Sequence, residues 1–398
     1  MKNNILRLNK LQCVGCRSCE QVCPQKCISL LPNYEGFLYP EINGSECIEC
    51  GLCIKHCPEL SVIIPNTYKK IYGAVLNDSV LLSKSSSGGI FAGIAKYIIK
   101  NNGIVYGSAY DESLMPNHIE VNSLENLPKL QGSKYVTSDT KDTYTQVKEK
   151  LHSGKTVLYS GTPCQIAGLN AFLNKEYDNL YTIDLICHGT PSQKLFEKYL
   201  HWLSKKIGGK IIYYGFRDKE VAGWGCGFNT STKTRTKTRT KKAICDPYFA
   251  TFLRCETFRE SCYQCRYSNM NRISDITIGD FWGVEKYYPD FEYRNGCSCV
   301  IVNTKKGMDL FDVIAKQSFT FFECKEFEIR EFNTNLNNPS LRPKVRDEIY
   351  KGINEQSPEA FFKHFKYSNE LYIKLCGIVS KIFPKKIKRS IKSLLSKR

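Results

Sequence analysis

The sequence predicts a mixed fold, α+β or α/β, with a small module at the start, a larger α/β domain with a mixed sheet behind it, and a basic helical tail. Three observations predict this organisation. Nine of the 20 cysteines lie within the first 57 of 398 residues. Strand-like and helix-like segments then alternate, which is typical of sheets with parallel strands and crossover helices. Residues 381–398 hold eight Lys or Arg and no acid.

The composition is that of a cytoplasmic globular protein. Hydrophobic residues make up 42% of the chain and charged residues 24%, the usual balance for a globular fold. Residues 1–10 are polar and basic, without the apolar core of a signal peptide. No stretch reaches the roughly 18 apolar residues of a membrane span. We therefore expect the cysteines to serve metal or redox chemistry in a reducing compartment, and not disulfide bonds.

Two cysteine quartets of identical spacing lie in the N-terminal segment. They read Cys13-x2-Cys16-x2-Cys19-x3-Cys23-Pro24 and Cys47-x2-Cys50-x2-Cys53-x3-Cys57-Pro58. This spacing is typical of ferredoxins with two [4Fe–4S] clusters, in which the fourth cysteine of each quartet binds the other cluster. One cluster is thus assigned to Cys13, Cys16, Cys19 and Cys57, and the second to Cys47, Cys50, Cys53 and Cys23. Zinc ribbons use two pairs instead of two quartets.

The quartets define a ferredoxin-like module over residues 1–65. Between them, residues 28–42 alternate weakly and contain Gly36, which predicts a short hairpin. Cys27 lies outside the spacing and is expected to be an ordinary small core residue. Beyond the module, we divide the α/β domain into residues 66–150 and 151–340, and we assign residues 341–398 to the tail.

Two strand–turn–helix units follow one another after residue 155. Their turns are Gly161-Thr162-Pro163 and Gly189-Thr190-Pro191. Such units give parallel strands, and ligands gather beyond the carboxyl ends of those strands. Cys164 and Cys187 lie at the two turns, and Cys262-x2-Cys265 lies further along the chain. Cys164 and Cys187 could be half of a metal site, a redox pair or two buried apolar thiols. The C-x2-C pair alone suits zinc, a cluster or dithiol chemistry, and with Cys164 and Cys187 it would complete the ligands of a third [4Fe–4S] cluster.

Two loops suit an anionic ligand. Ser85–Gly89 is a Ser/Gly loop before a helix-like run, where backbone N–H groups favour a phosphate. Residues 132–135, Gly-Ser-Lys-Tyr, offer a cation and an aromatic ring. Ordinary surface loops explain both segments as well. Further on, Asp280 follows a strand-like run, and we name it the candidate catalytic group for proton handling.

Seven segments between about residues 66 and 310 form a series in a fixed order. They read SSSGGIFAGIAKYI, GSKYV, LYSGTPCQIAGL, DLICHGTPS, YYGFRD, SCYQCRYSNMNRISDITIGDFWG and CVIVNTKKG. In this order they resemble the coenzyme F-420 hydrogenase/dehydrogenase beta-subunit family. The resemblance implies an oxidoreductase that carries FAD and a [4Fe–4S] cluster. It also implies Cys164, Cys187, Cys262 and Cys265 as ligands of a third cluster, and Ser87, Gly88, Gly89, Lys134 and Tyr135 as flavin contacts.

The resemblance leaves the acceptor open. We expect electrons to pass from a redox donor protein, a ferredoxin or a dehydrogenase or hydrogenase subunit, through the clusters to FAD. An organic, anionic substrate would accept these electrons from FAD or donate them to it. Surface-polysaccharide metabolism is one expected setting. The alternatives are a coenzyme F-420-reducing or -oxidising subunit of a hydrogenase or dehydrogenase complex, and a non-catalytic electron-transfer subunit. Cys255, Cys297 and Cys299 remain open as substituted cluster ligands.

The net charge of +18 is concentrated in two segments. Residues 231–242 carry six Lys or Arg and residues 381–398 carry eight. The first alternates with Thr, which predicts a strand with cations on one face, although an exposed loop explains it equally. The second has Ile and Leu at near-helical spacing and could lie on the inner face of a membrane, although a solvated tail is an equal alternative. No recognition motif indicates nucleic-acid binding.

Overall fold

The structure is a computed structural model that describes residues 3–219, 223–224 and 229–363. The predicted membrane-binding segment, 381–398, lies outside the described residues. The strands are β1 Ile28–Pro32, β2 Leu38–Ile42, β3 Lys70–Leu76, β4 Ile104–Tyr110, β5 Pro116–Val121, β6 Val157–Gly161, β7 Leu180–Leu185, β8 Tyr213–Gly215, β9 Asn229–Lys233, β10 Thr238–Lys242, β11 Ile276–Asp280, β12 Ser298–Val302 and β13 Phe319–Glu323.

The α-helices alternate with these strands. They are α1 Ser18–Gln21, α2 Leu52–Lys55, α3 Ser79–Ser83, α4 Ile90–Lys100, α5 Thr143–His152, α6 Pro163–Leu173, α7 Gln193–Ile207, α8 Pro247–Leu253, α9 Val284–Tyr287, α10 Lys305–Ser318, α11 Glu326–Arg330 and α12 Arg346–Glu355. In the described ranges, no helix combines the length and the apolar character that crossing a membrane requires.

An eight-stranded mixed sheet forms the body of the α/β domain, and it confirms the predicted fold class. Its order is β13-β3-β12-β11-β7-β6-β4-β5. The four strands β11, β7, β6 and β4 are parallel to one another, whereas the pairings at both sides of this group are antiparallel. Helices α4 and α10 bury their apolar residues on this sheet. The carboxyl ends of the parallel strands therefore meet at one edge.

The two strand–turn–helix units form with one difference. Thr162 is the N-cap of α6, Pro163 is its first residue, and Gln165 completes a capping box. In the second unit Ser192, and not Thr190, caps the helix. Thr190 Oγ1 instead accepts a hydrogen bond of 2.9 Å from Thr137 Oγ1. The loop between β7 and α7 is therefore longer than the matching turn motif predicts.

The N-terminal module contains the predicted hairpin. Strands β1 and β2 pair antiparallel, from Ile28 opposite Ile42 to Pro32 opposite Leu38. Helices α1 and α2 are four residues long, and each follows a residue with positive φ, Arg17 and Gly51. Ile5, Leu8 and several cysteines supply the buried core of the module.

Buried arginines join this module to the α/β domain. Arg346, at the start of α12, donates to both carboxylate oxygens of Glu35 at 2.9 and 2.7 Å. Arg259 donates to the carbonyl oxygens of Cys13 and Leu38 at 2.6 and 2.7 Å. These contacts show that α12 packs into the body of the protein, although the sequence assigned residues from 341 onward to the tail.

A small sheet of β8, β9 and β10 carries the first basic segment. β9 and β10 form an antiparallel hairpin in which Lys233 lies opposite Thr238. On β9, Thr230 and Thr232 are buried and Lys233 is exposed, but Ser231, on the same face as Lys233, is buried as well, so the predicted alternation is only partly met. β10 is an edge strand, and its threonines are exposed as well as its cations.

Candidate metal centres and cofactor cavity

The first cavity in the N-terminal module is lined by the thiols of Cys13, Cys16, Cys19 and Cys57. All four cysteines are buried. Burial raises the pKa of Cys57 to about 11, and it also raises the pKa of Cys16, where the neighbouring Cys57 and Cys13 add to the effect. Neutral thiols are therefore favoured unless iron compensates the thiolate charge. This grouping is the one that the spacing assigns to the first cluster.

A second cavity is lined by the cysteines assigned to the other cluster, Cys23, Cys47, Cys50 and Cys53. Cys50 is exposed, so this cavity lies near the surface of the module. Cys27 also lines it, with its Sγ 3.5 Å from the Sγ of Cys23. The sequence treated Cys27 as an ordinary core residue, but the structure places a fifth thiol beside the second set.

The third set lies in the α/β domain. Burial, followed by the nearby thiols, raises the pKa of Cys164 to about 12 and that of Cys262 to about 11. The pKa of Cys187 rises for the same reasons, with Cys262, Cys164 and Cys265 as its neighbours. The structure thus brings all four thiols together. This arrangement suits cluster ligands, a redox pair and structural thiols alike.

The three other cysteines considered as substituted ligands lie elsewhere. Cys299 lies within β12 and Cys297 directly before it, and both are fully buried in a cluster that includes Cys324. Cys255 packs at the edge of an aromatic core. They are therefore set aside as members of the third set. Among the described residues, no three His, Cys, Asp or Glu side chains converge closely enough to hold a single metal ion.

A large cavity lies at the carboxyl edge of the parallel strands, with a volume of about 290 Å³. Each of these strands contributes a residue at or near its carboxyl end: Ser108, Gly161, Leu185 and Asp280. This is the edge at which the sequence predicts ligand binding. Gly15 of the N-terminal module and Cys164 of the third set also line the cavity. The cavity is therefore in contact with both cysteine-bearing parts of the chain.

The two candidate flavin loops meet at this cavity. The backbone N–H of Ser133 donates to Ser86 Oγ at 2.6 Å. Ser87, Gly89, Lys134 and Tyr135 line the cavity. Gly88 does not, because it packs against the sheet, where a Cβ would lie 2.3 Å from the carbonyl oxygen of Ala74. Gly89 has φ +79° and begins the 11-residue helix α4, so the N-terminus of that helix faces the cavity wall.

Lys134 is a desolvated cation beside this helix. Its Nζ donates to the carbonyl oxygens of Gln131 and Gly132, each at 3.1 Å. Burial lowers the pKa of Lys134 to about 7. Two buried atoms of the same wall, Ser108 Oγ and Gln131 Oε1, have no hydrogen-bond partner among the described residues. A cation, a helix N-terminus and unsatisfied polar atoms fit a large anionic cofactor such as FAD.

Asp280, the candidate for proton handling, is held in an ion pair. Arg217 donates to both of its carboxylate oxygens at 2.6 and 3.0 Å, and Trp224 Nε1 donates at 2.8 Å. Burial opposes the charge of Arg217, but Asp280 more than offsets this, and the pKa of Arg217 is raised. A role of Asp280 in proton transfer stays a prediction.

Sequence reasoning missed two polar side chains in the cavity wall. Arg217 belongs to the YYGFRD segment, which gave no signal of its own beyond the resemblance. His118 lies on β5, with Nδ1 2.9 Å from Ser138 Oγ and Nε2 3.1 Å from the carbonyl oxygen of Ser160. Burial lowers the pKa of His118 to about 4, so its ring is neutral near pH 7. No motif marks His118 in the sequence.

Comparison with known proteins identifies two domains. Residues 154–326 match the family described as the C terminus of the beta subunit of coenzyme F420 hydrogenase/dehydrogenase, and residues 12–60 match the 4Fe-4S dicluster domain. A chain in the xenon-derivatised F420-reducing [NiFe] hydrogenase complex from Methanosarcina barkeri is 18% identical, with a TM-score of 0.45, covering 79% of this chain and 94% of that chain. No curated protein matches the chain. The two domain matches confirm the resemblance drawn from the sequence.

Proposed function

We propose that this chain, an iron–sulfur electron-transfer subunit related to the coenzyme F420 hydrogenase/dehydrogenase beta subunit, is a flavoprotein that passes electrons between a protein partner and an organic acceptor. The observation that carries the proposal is the large cavity, because Gly15 of the dicluster module and Cys164 of the third set both line it. Cysteines that suit clusters and a wall that suits FAD thus converge on one space.

The contact between the first and third cysteine sets supports electron transfer from the dicluster module through the third set to the cavity. Cys164 and Gly168 are one turn apart on α6 and lie on the same face. A Cβ at Gly168 would lie 2.7 Å from the Cβ of Cys16 and 2.9 Å from its Sγ. The absence of a side chain at Gly168 therefore lets the first set approach the helix that carries Cys164. We propose Cys164, Cys187, Cys262 and Cys265 as ligands of a third [4Fe–4S] cluster.

The cavity residues would hold FAD in a defined orientation. FAD, when bound, exchanges single electrons with clusters and a hydride with an organic molecule. The N-terminus of α4 and the Lys134 ammonium would bind its phosphates. The guanidinium of Arg217, paired with Asp280, lies 5.6 Å from the centroid of the Trp282 ring, which also lines the cavity. His118 is neutral there and is fixed by Ser138 and Ser160.

The domain match favours coenzyme F420 as the organic acceptor or donor, and a hydrogenase or dehydrogenase subunit as the protein partner. In the second form of the proposal, the chain is a non-catalytic electron-transfer subunit that only passes electrons to another protein. The two differ in whether the purified chain oxidises or reduces a small molecule. A role in surface-polysaccharide metabolism stays a prediction, because no described side chain bears on it.

Cofactor content tests the proposal directly. Anaerobically purified protein should release FAD and contain about 12 iron atoms per chain, four for each of three clusters. Cys262→Ser should lower this to about eight, while the buried thiol variant Cys324→Ser should leave it unchanged. About eight irons in the unaltered protein would remove the third cluster. Protein without flavin after anaerobic purification would contradict the oxidoreductase mechanism.

Cofactor affinity should depend on pH through Lys134. The free ammonium has a pKa of about 7, and an adjacent phosphate would raise it, so binding takes up a proton. Between about pH 7 and 9, FAD affinity of the deflavinated protein should fall by up to about tenfold per pH unit. Lys134→Met should bind more weakly at pH 6.5 and lose this slope, whereas the exposed Lys129→Met should keep it. An equal slope in both variants would exclude Lys134 as the phosphate contact.

A further inference from the structure

Cys27 is an additional thiol in the cavity that the second cysteine set surrounds. It lines this cavity together with the four assigned ligands, Cys23, Cys47, Cys50 and Cys53. The Cys27 residue is 5% exposed, and its Sγ lies 3.5 Å from the Sγ of Cys23. Four thiolates complete the protein ligands of one [4Fe–4S] cluster. The cavity thus contains one thiol more than the assigned cluster uses.

The backbone on both sides of Cys27 fixes this thiol close to Cys23. The N–H of Lys26 donates to the carbonyl oxygen of Cys23 at 3.1 Å, which closes a turn, and Lys26 has φ +50°. The carbonyl oxygen of Cys27 accepts a hydrogen bond of 2.9 Å from the N–H of Asn43. The next residue, Ile28, begins β1. A turn before Cys27 and a strand after it therefore hold its backbone in place.

The first cysteine set offers a matched comparison. Cys57 and Cys23 occupy the same place in their quartets, and each is followed by Pro. Ser61 follows Cys57 by four residues, as Cys27 follows Cys23. The Ser61 hydroxyl donates to the carbonyl oxygen of Cys57 at 2.8 Å. Among the described residues that line the first cavity, the only cysteines are the four assigned ligands. The additional thiol therefore distinguishes the second set from the first.

We propose that Cys27 is an alternative ligand of the second cluster and can bind the iron that is assigned to Cys23. The exchange breaks the iron–sulfur bond to Cys23 and forms one to Cys27. The thiol proton of Cys27 passes to the leaving Cys23 thiolate, since the two sulfur atoms are within hydrogen-bond distance. No electron is gained or lost, and the number of thiolate ligands stays at four. The inference rests on the proposed ligands of the second set, and not on the flavin or the third cluster.

The exposure of the two thiols gives the exchange a use. Cys23 is partly exposed and Cys50 is exposed, whereas Cys27 is buried. The susceptibility of a cysteine to oxidation follows its exposure. An oxidant that reaches the surface of the module therefore meets Cys23 before Cys27. The buried thiol would keep the iron bound after the loss of Cys23.

Iron content and electron paramagnetic resonance of anaerobically purified, full-length variants test the proposal. Cys23→Ala should keep the iron content of the unaltered chain, because Cys27 supplies the fourth thiolate. Cys23→Ala combined with Cys27→Ala should lose about one iron per chain and show the resonance of a [3Fe–4S] cluster, or lose about four irons if the cluster dissociates. Cys27→Ala alone should keep its iron. The matched control, Cys57→Ala, should lose iron as the double variant does.

Two results would overturn the proposal. The first is a loss of iron in Cys23→Ala as large as that in the double variant. The second is full iron content in the double variant or in Cys57→Ala, which would show that these clusters need no fourth cysteine. Far-ultraviolet circular dichroism equal to that of the unaltered chain identifies the variants as folded. Because each variant is compared with the unaltered chain, about eight irons in that chain would remove the third cluster and leave this test valid.

Discussion

Replacing Arg346 with Met should lower the free energy of unfolding by about 3–5 kcal/mol, because it leaves buried carboxylates without their cation. The Arg346 side chain is 1% exposed and that of Glu35 is 5% exposed. Glu260 also lies within 2.7 Å of the Arg346 guanidinium. Glu35 belongs to the hairpin of the dicluster module, so the pair stabilises the contact between the module and α12.

Thermal and urea denaturation measure this loss. The control is Arg342→Met, which removes a partly exposed cation that also contacts Glu260, at 2.8 Å. We expect it to cost about 1 kcal/mol or less. The double variant Glu35→Leu with Arg346→Met should regain part of the stability, because it leaves one fewer unpaired carboxylate. A loss below about 1 kcal/mol in Arg346→Met would show that the pair does not hold the module in place.

Gly168→Val should slow the delivery of electrons from the dicluster module to the cavity by at least roughly tenfold. The new side chain would occupy the space of Cys16 and of the Tyr144 hydroxyl, which lies 2.8 Å from the position of a Cβ. The module must therefore move away from α6, which weakens the contact between the first and third cysteine sets. Overpacking of this kind should also cost about 1–3 kcal/mol of stability.

Anaerobic stopped-flow reduction of the flavin by a reduced ferredoxin measures the rate. Gly44→Val is the matched control, since a Cβ at Gly44 meets no atom within 4 Å. Both variants should retain the iron of the dicluster module, and dithionite should still reduce it. An unchanged flavin reduction rate in Gly168→Val would show that electrons do not pass through the contact at α6.

The local elements of the fold could be predicted, whereas the pairing of distant strands could not. Alternation and turn residues predict the β1–β2 hairpin, α4, and the β6–α6 and β7–α7 units, because those signals lie within a few residues of each element. The neighbours of β3 in the sheet are β12 and β13, more than 200 residues further along the chain. Such pairings depend on the packing of the whole sheet, which no local pattern encodes.

The candidate site also has parts that the sequence could predict and parts that it could not. The spacing of the two quartets could be recognised because cluster ligands are close together in the sequence. Turn and loop patterns indicated the third set and the two anion-binding loops, and the resemblance assigned them to a cluster and a flavin. Neither the sequence patterns nor the resemblance showed that Arg217 forms an ion pair with the carboxylate of Asp280, because these residues are 63 positions apart. Glu35, the partner of Arg346, is 311 positions away in the sequence. No local pattern therefore showed that α12 contacts the dicluster module, and its residues were assigned to the tail.

The arginine contacts that join the dicluster module to the α/β domain have a consequence for the order of events in a turnover. A redox domain on a free linker swings between its donor and its acceptor, and that swing limits the rate. Here Arg17 binds Asp139 at 2.5 Å, and Arg259 and Arg346 hold two other points of the same module. We therefore expect the module to stay in one position during electron transfer, without moving between its donor and its acceptor. We expect the encounter with the donor protein, near the exposed Cys50, to be the rate-limiting step.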